Sequence, residues 1–292
     1  MFRNMDKGDI NFANEMLHKI NTCAVEVFNE SYRNGNIYQS YVFESITNRG
    51  IFIIIRAVDY FSIQLSFEKD ICNYKIIQFI DEKYHSIIKE RQDRDIYVNI
   101  NAANAILNNY FSDLSLERDS YGFEFYISSD FDTVKELENY SMRKDMQIKE
   151  FEDKYALDYL HLLDDAFRAQ QMECNEEQDG YCKNSEEKSK WLKNLSVNHG
   201  FHSFWVANQL VGVGIVDDNY IDTIAIHPQY ERKGYGSEIL KYYINNLLCS
   251  HKFSELYLVT YYQNRKAQRL YLKNGFKVRG FYSENTFNGC DV

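Results

Sequence analysis

A glycine-punctuated turn in the second half of the chain has the residue types needed to bind an anion. It follows the apolar segment 220–226 and the chain's only proline, and it leads into a segment with helical periodicity over 238–250. Because glycine has no side chain, successive N–H groups at a helix N-terminus can converge on a phosphate. Glycines here could equally serve only to reverse the chain. The turn consists of Arg232, Lys233, Gly234, Tyr235, Gly236 and Ser237.

A second group of residues lies on one face of a predicted helix near the C-terminus. After a predicted strand over 256–262, Asn264, Ala267 and Tyr271 are spaced three and four residues apart, so a helix places them on the same face. Asn264 suits the first position of this helix, and Gly275 suits the left-handed position that ends one. An amide, a small methyl side chain and a phenol on one helix face are typical of a surface that contacts a ligand.

With both motifs in this order, the chain resembles the GNAT superfamily of acyl-CoA-dependent N-acyltransferases. In that family a strand leads to a pyrophosphate loop of pattern Arg/Gln-x-x-Gly-x-Gly/Ala, and a later Asn-x-x-Ala-x-x-x-Tyr helix precedes Gly-Phe. Residues 231–236 fill the first pattern and residues 264–276 the second, and the resemblance covers 143–292. The departure is Glu231, where the family has Arg or Gln. A carboxylate pointing inward would weaken pyrophosphate binding, although Arg232 can compensate.

The resemblance implies acetyl-CoA (coenzyme A) as co-substrate and assigns roles to individual residues. The backbone of Ile224, Ala225 and Ile226 would pair with the pantetheine arm like an added strand and help to polarise the acyl carbonyl. Tyr271 would be the general acid toward the coenzyme A sulfur, and Asn264 would bond the pantetheine arm. The residues alone leave alternatives open, because Tyr271 is one of 24 tyrosines and could belong to the core. Asn264 could also only cap its helix.

An amine acceptor must lose a proton before it attacks. An amine with a pKa of about 10.4 is neutral in about one molecule in 2,500 at pH 7, a deficit of about 4.6 kcal/mol. Asp222 is the candidate base, because it lies on the strand before the turn, on the predicted face of Ile224. The alternative is a carboxylate that only faces solvent. We expect direct attack, because neither motif places a cysteine or serine beside a histidine.

Composition and charge limit the class of protein. The chain has 292 residues, 45% hydrophobic and 16% aromatic, which favours two folded domains with packed cores. A net charge of −10 argues against a nucleic-acid partner and suits a cationic acceptor, although many acidic proteins are simply soluble. The six cysteines lack CxxC spacing, so we expect reduced thiols and no metal site. We predict no signal core and no membrane-spanning run, and we expect a cytoplasmic protein.

The predicted elements form two similar series. The first half reads as a helix over 10–32, strands over 38–46, 50–58 and 61–67, a helix over 70–91, a strand over 95–100, a helix over 102–113 and a strand over 122–128. The second half reads as a strand over 146–151, helices over 154–170 and 185–196, a hairpin over 203–216, and then the motif strands and helices. Asn184 and Glu187 predict the N-cap of helix 185–196.

This order predicts a two-domain α/β (α+β) protein. We expect a smaller α+β domain over residues 1–135 and a GNAT domain, a mixed sheet flanked by helices, over 143–292. The first domain is either a degenerate GNAT copy, since no glycine turn follows the strand over 61–67, or an unrelated fold with the same order. Monomer and homodimer both remain open.

The predicted function is transfer of acetyl to a primary amine of a small molecule or peptide. In the resembling family, the region of segment 172–188 commonly forms part of the acceptor site, and here it is acidic; a solvated loop is the alternative. The competing hypothesis is a GNAT-shaped protein that binds acyl-CoA without turnover, suggested by Glu231 and the degenerate first half. A P-loop nucleotide-binding protein is excluded, because Gly-Lys-Ser/Thr does not follow the glycines.

Overall fold

The computed structural model of this protein describes residues 1–71, 73–113, 120–129, 140–173, 180–250 and 252–285. The chain forms two compact units. Unit 1 contains Met1–Glu124 and the C-terminal residues from Val278 onward, and unit 2 contains Phe125–Lys277.

Unit 1 is built on a mixed sheet. Its strands are β1 (Phe2–Asn4), β2 (Ile37–Glu44), β3 (Arg49–Arg56), β4 (Tyr60–Phe67), β5 (Asp95–Asn101), the first half of β6 (Ser120–Ser128), and β12 (Lys277–Asn285). They follow one another in the sheet in the order β1, β2, β3, β4, β5, β12, β6. Strands β4 and β5 run parallel and pair continuously from Tyr60 with Asp95 to Leu65 with Ile100.

Helices cover both faces of this sheet. They are α1 (Ile10–Leu17), α2 (Ala24–Asn34), α3 (Tyr74–Glu90) and α4 (Ala105–Asp113). Alternate residues of β3 serve two cores: Ile51, Ile53 and Ile55 pack with α1 and α2, whereas Phe52 and Ile54 pack with α3 and α4. A strand that is buried on both faces must be apolar at almost every position, which is why β3 is a continuous hydrophobic run.

Unit 2 is also built on a mixed sheet, and it has helices of its own. Its strands are β7 (Met146–Lys149), β8 (Phe201–Val206), β9 (Gln209–Asp217), β10 (Tyr220–Ile226) and β11 (Glu255–Tyr261), with the second half of β6 beside β11. Its helices are α5 (Ala156–Glu173), α6 (Ser185–Val197), α7 (Tyr235–Tyr243) and α8 (Arg265–Lys273), and α7 continues as a π-helical segment, Ile244–Cys249. Strands β7 to β10 are antiparallel neighbours, and β10 is parallel to β11.

Two glycines of β9 let α7 approach the sheet of unit 2 closely. A Cβ added to Gly212 would lie 2.8 Å from the side chain of Ile239, and one added to Gly214 would overlap the ring of Tyr243. On the other face, α5 and α6 pack over residues such as Val213 in a separate buried cluster. Both helix layers therefore pack against β9 and β10, the strands that lead to the glycine turn.

Most predicted elements are present, and three local predictions need correction. The predicted helix over 10–32 is two helices, because the backbone N–H of Thr22 donates to Glu124 at 2.9 Å instead of continuing a helix. The helix predicted over 238–250 begins earlier, at Tyr235, and changes to π-helical geometry after Tyr243. Asn184 precedes α6 as predicted, but its side chain makes no capping hydrogen bond.

The C-terminal strand is where the compact units depart from the predicted domain limits. The sequence predicts no strand over 277–285, and the predicted second domain extends to residue 292. In the structure β12 pairs antiparallel with β5, from Gly280 with Asn101 to Asn285 with Ile96. This pairing places the chain from Val278 onward in unit 1. The predicted boundary segment, 132–145, is described only from residue 140.

None of the helices within the described ranges combines the length and the apolar composition that crossing a bilayer requires.

Candidate functional site

The glycine turn (residues 232–237) connects β10 to α7 as the sequence predicts. Two of its residues have left-handed backbones, Arg232 with φ 58° and Gly234 with φ 88°, and α7 begins at Tyr235. Within the helix start, the N–H of Glu238 donates to the carbonyl of Gly234 at 3.2 Å. A Cβ added to Gly234 would meet nothing within 4 Å. The backbone around Gly234 is therefore accessible to a ligand, which is what an anion site at a helix N-terminus requires.

Strands β10 and β11 separate ahead of the glycine turn. Within the described residues they pair at one position, Tyr220 with Tyr257, near the start of both strands. On its other edge β10 stays paired with β9 as far as Ile226. Among the described residues, the segment Ile224–Ile226 is paired with β9 on one edge and has no partner in β11 on the other, and this unpaired stretch is the gap between β10 and β11. Backbone groups that face it can pair with an extended ligand.

The corresponding place in unit 1 is closed. There β4 and β5 remain paired along their length, and the side chain of Asn104, which is fully buried, occupies the end of β4. Asn104 accepts from the N–H of Phe67 at 2.9 Å and donates to its carbonyl at 3.1 Å. A side chain satisfies the backbone groups that a cofactor would have to reach, in agreement with the missing glycine turn.

Glu231, the departure from the family pattern, is held by a lysine of the second motif. Its carboxylate lies 3.0 Å from the ammonium group of Lys266 on α8. Both side chains are partly exposed, so the pair adds little stability. The ion pair instead orients the site, because Lys266 holds the Glu231 carboxylate toward α8 and offsets the negative charge of Glu231 beside the turn.

Helix α8 begins and ends at the predicted residues. The side chain of Asn264 accepts the backbone N–H of Ala267 at 3.0 Å, and Gly275 has a left-handed φ of 89°. Gln268, which is buried, donates to the carbonyls of Tyr261 and Tyr262 at 3.0 and 2.9 Å and so fixes the helix to the end of β11. Asn264 is therefore a cap, one of the two roles left open for it.

Tyr271 is largely buried among aromatic rings. Its ring centroid lies 5.6 Å from that of Phe125 and 6.1 Å from that of Phe276. Burial raises the pKa of the Tyr271 phenol, and the charge of Tyr220 raises it further. Tyr220, which stacks on Tyr257 where β10 and β11 pair, thus contributes to the electrostatic environment of Tyr271.

Asp222 lies at a bulge in β10. The pairing with β9 passes from Ile221 to Thr223 with a register shift, so Asp222 is the extra residue. Burial still alternates along β10 across the bulge, so Asp222 and Ile224 both lie on the less buried side of the strand. The carboxylate of Asp222 is exposed and accepts the hydroxyl of Thr223 at 2.9 Å.

Tyr181 and Cys182, which the sequence reasoning missed, form a small turn that is bound to Asp164. The carboxylate of Asp164 on α5 accepts the backbone N–H groups of both residues. Burial raises the pKa of Tyr181, and the negative charges of Asp222 and Asp164 raise it further. The sequence signal that could have indicated Tyr181 and Cys182 is the charged loop that follows a predicted helix.

Cys182 lies beside a histidine outside both motifs. Its sulfur is 3.4 Å from Nδ1 of His161. Burial, followed by the carboxylate of Asp164, raises the pKa of the Cys182 thiol to about 11. The thiol is therefore protonated at neutral pH and is a poor nucleophile.

The acidic segment predicted at the acceptor site is only partly described. Residues 174–179, with Glu176, Glu177 and Asp179, lie outside the described residues, and so does the side chain of Glu173. Glu186 pairs with Lys190 one turn along α6 at 2.8 Å, as expected for a solvated helix surface. In the described part of the chain, no group of three His, Cys, Asp or Glu side chains is arranged to hold a metal ion.

The family comparison agrees with this geometry. The model of an acetyltransferase (GNAT) domain matches residues 200–278, from β8 to the start of β12. The chain therefore carries a GNAT acetyltransferase domain, and over this range the resemblance seen in the two motifs is confirmed. No curated sequence matched the chain.

Similar solved structures include proteins of the same family. A GNAT acetyltransferase from Colwellia psychrerythraea is 12% identical over 99% of this chain and 100% of its own, with a TM-score of 0.48. A GCN5-related N-acetyltransferase from Sphaerobacter thermophilus is 11% identical over 97% and 94%, with a TM-score of 0.47. A tandem GNAT protein from the clavulanic acid biosynthesis pathway is 9% identical over 99% and 98%, with a TM-score of 0.43.

Proposed function

We propose that unit 2 is an acyl-CoA-dependent N-acyltransferase that moves acetyl from acetyl-CoA to a primary amine of a small molecule or peptide. The observation that carries the proposal is the separation of β10 from β11 directly ahead of the glycine turn. An extended ligand can pair with the backbone facing this gap, and N–H groups of the turn can bind its phosphates. Acetyl-CoA has this form, a diphosphate joined to an extended pantetheine arm.

The donor would be bound mainly by backbone groups. N–H groups of residues 232–237 would bind the pyrophosphate, with the charges of Arg232 and Lys233 beside them, and the backbone of Ile224–Ile226 would run along the pantetheine arm. This arrangement tolerates Glu231, because the carboxylate is paired with Lys266. The sign of the helix dipole at α7 also favours the negative charge of the phosphates.

Tyr271 would protonate the departing thiolate. Its raised pKa keeps the proton on the phenol at neutral pH, as a general acid requires. Tyr271 is only partly exposed to solvent and contacts two aromatic rings, so it would be the proton donor on α8 for the developing thiolate.

Asp222 would accept the proton of the amine, directly or through water. The ordinary deficit of about 4.6 kcal/mol for neutralising a lysine-like amine at pH 7 has to be met at this step. Asp222 and Asp164 add negative charge near Tyr181, which supports a cationic acceptor entering from this side. The amine would then attack the acyl carbon without a covalent enzyme intermediate. The high pKa of the Cys182 thiol argues against an acyl-cysteine route.

Thermal unfolding with acetyl-CoA tests the binding step. At a hundredfold excess of ligand over Kd, we expect stabilisation by about 2.7 kcal/mol and a higher melting temperature. Gly234→Trp should abolish the rise, because the ring would project from the backbone of the turn. The matched control is Gly35→Trp, since Gly35 also has a left-handed φ, 72°, and open space around its Cβ. No stabilisation of the wild-type protein by any acyl-CoA would overturn the proposal.

Thiol release separates the enzyme from a protein that binds acyl-CoA without turnover. Acetyl-CoA is mixed with the protein and with polyamines, aminoglycosides, amino acids or lysine peptides, and free thiol is measured. Release that depends on one class of amine supports transfer. Stabilisation by acetyl-CoA with no release for any amine would favour the binding-only alternative.

A further inference from the structure

The segment that precedes β7 contacts the glycine turn from outside both sequence motifs. Arg143 donates from Nη1 to the carbonyl of Lys233 at 3.3 Å. Its guanidinium carbon lies 4.6 Å from the ring centroid of Tyr235, in cation–π distance. One side chain thus contacts two consecutive parts of the turn, on either side of Gly234.

Tyr140, in the same segment, contacts the first turn of α7. Its hydroxyl donates to the carbonyl of Glu238 at 3.1 Å and lies 3.3 Å from the carboxylate of the same residue. Burial, followed by the charge of Glu238, raises the pKa of this phenol, so it stays a donor at neutral pH. Contacts at Lys233, Tyr235 and Glu238 span the turn and the start of its helix.

Arg143 is itself held in a fixed orientation. Asp145 accepts from its Nε at 3.1 Å and from its Nη2 at 2.8 Å, a two-pronged pair along one edge of the guanidinium. Nη1 does not take part in this ion pair and instead donates to the carbonyl of Lys233. A planar guanidinium held at two edges has little rotational freedom left to lose when a ligand binds.

The turn needs such support because of its backbone. Arg232 has a left-handed φ although it has a side chain, and Gly234 is left-handed as well. A left-handed non-glycine residue is unfavourable in isolation, and surrounding contacts must maintain it. Lys233 lies between the two, so a hydrogen bond to its carbonyl fixes the Lys233–Gly234 peptide plane, whose N–H is among those proposed to bind the pyrophosphate.

We propose that Arg143 is a positioning residue that holds the glycine turn in its anion-binding conformation before the ligand arrives. The proposal rests on the proposed function of this turn as the pyrophosphate site. Binding is stronger when the ligand does not have to order the site first. Arg143 acts through Lys233 and Tyr235 and need not touch the ligand.

The test compares Arg143→Met and Arg143→Lys with Arg33→Met. Methionine keeps the apolar stem of Arg143 and removes the guanidinium. Arg33 is a matched control, because it is an exposed arginine that donates to a backbone carbonyl, that of Asn29, at 3.3 Å in unit 1. We expect Arg143→Met to weaken acetyl-CoA binding about tenfold in calorimetry, with Arg143→Lys between it and wild type. KM for acetyl-CoA should rise while kcat is unchanged, and Arg33→Met should match wild type.

Two further measurements distinguish positioning from direct contact. 3′-Dephospho-CoA should lose as much affinity as coenzyme A in Arg143→Met; a loss confined to coenzyme A would show a contact with the 3′-phosphate and overturn the positioning role. In ligand-free protein, amide hydrogen exchange over residues 232–237 should become faster in Arg143→Met and not in Arg33→Met. Unchanged exchange would also overturn the proposal. If wild type binds no acyl-CoA, the proposed function fails, while the exchange experiment still tests Arg143.

Discussion

At the scale of single residues, the environment of Tyr271 sets its chemistry. A phenol among aromatic rings with a raised pKa can donate a proton but does not ionise near neutral pH. We expect Tyr271→Phe to lower kcat about 100-fold and to leave the Kd for acetyl-CoA within about twofold. Tyr159→Phe is the control, because Tyr159 is fully buried in the same unit and its hydroxyl has no hydrogen-bond partner among the described residues. If steady-state kinetics showed the same decrease in kcat for both variants, Tyr271 would not be the general acid.

The same raised pKa fixes the sign of the pH dependence. The protonated phenol is the active form, so its loss begins only above the ordinary tyrosine pKa of about 10. The kcat profile should therefore show no descending limb from Tyr271 between pH 7 and about 10. Folding stability from this group is likewise complete below the ordinary pKa and lost as the pH rises through the folded value. A descending limb near pH 8 that disappears in Tyr271→Phe would contradict this assignment.

At the scale of elements, the start of α8 joins stability to ligand binding. Asn264→Ala removes a cap that accepts the N–H of Ala267, and Asn73→Ala removes a cap of the same kind from α3, where Asn73 accepts the N–H of Lys75. Each substitution should lower the free energy of unfolding by about 1 kcal/mol in denaturant titrations. Only Asn264→Ala should also weaken acetyl-CoA binding, because α8 directly follows β11 in unit 2, whereas α3 follows β4 in unit 1. Equal acetyl-CoA affinity in both variants would leave Asn264 as a cap and nothing more.

At the scale of the whole molecule, a strand close to the C-terminus, β12, belongs to the unit formed by the N-terminal part of the chain. Gly280 of β12 pairs with Asn101, and a Cβ added to Gly280 would lie 1.7 Å from the backbone carbonyl oxygen of Ile20. The neighbouring Arg279 lies 3.4 Å from Glu124 and donates to Thr22 at 2.6 Å, and both members of the ion pair are buried. Residues 278–285 are thus built into the core of the first unit.

Gly280→Ala should therefore destabilise the N-terminal part of the chain. We expect a loss of about 1–3 kcal/mol, the usual cost of overpacking, because backbone rather than a flexible side chain stands in the way. Hydrogen exchange should rise over residues 1–113, far from the substitution in sequence. Val278→Ala, at an exposed position of the same strand, should change stability by less than about 0.5 kcal/mol. Faster exchange confined to residues 140–277 would show that β12 stabilises unit 2 instead.

The sequence alone determined the parts of the site that depend on local backbone chemistry. Gly234 and Gly275 mark positions where the chain needs a positive φ, and Asn264 marks a helix start; these signals act over a few residues and are readable from spacing. The strands β10 and β11 and the order of elements followed from hydrophobic periodicity for the same reason. The helix over 10–32 failed because Thr22 bonds to Glu124, a residue about a hundred positions away.

Only the tertiary structure decided which distant residues meet. Arg143 reaches the glycine turn, Lys266 pairs with Glu231, and Asp164 accepts the backbone N–H of Tyr181, yet each is an ordinary polar residue in its own segment. The gap between β10 and β11 is equally invisible in a sequence, since both strands look regular and only their divergence leaves a bare edge. Short-range preferences are encoded by neighbours in the chain, whereas contacts over many residues depend on how the packed elements converge.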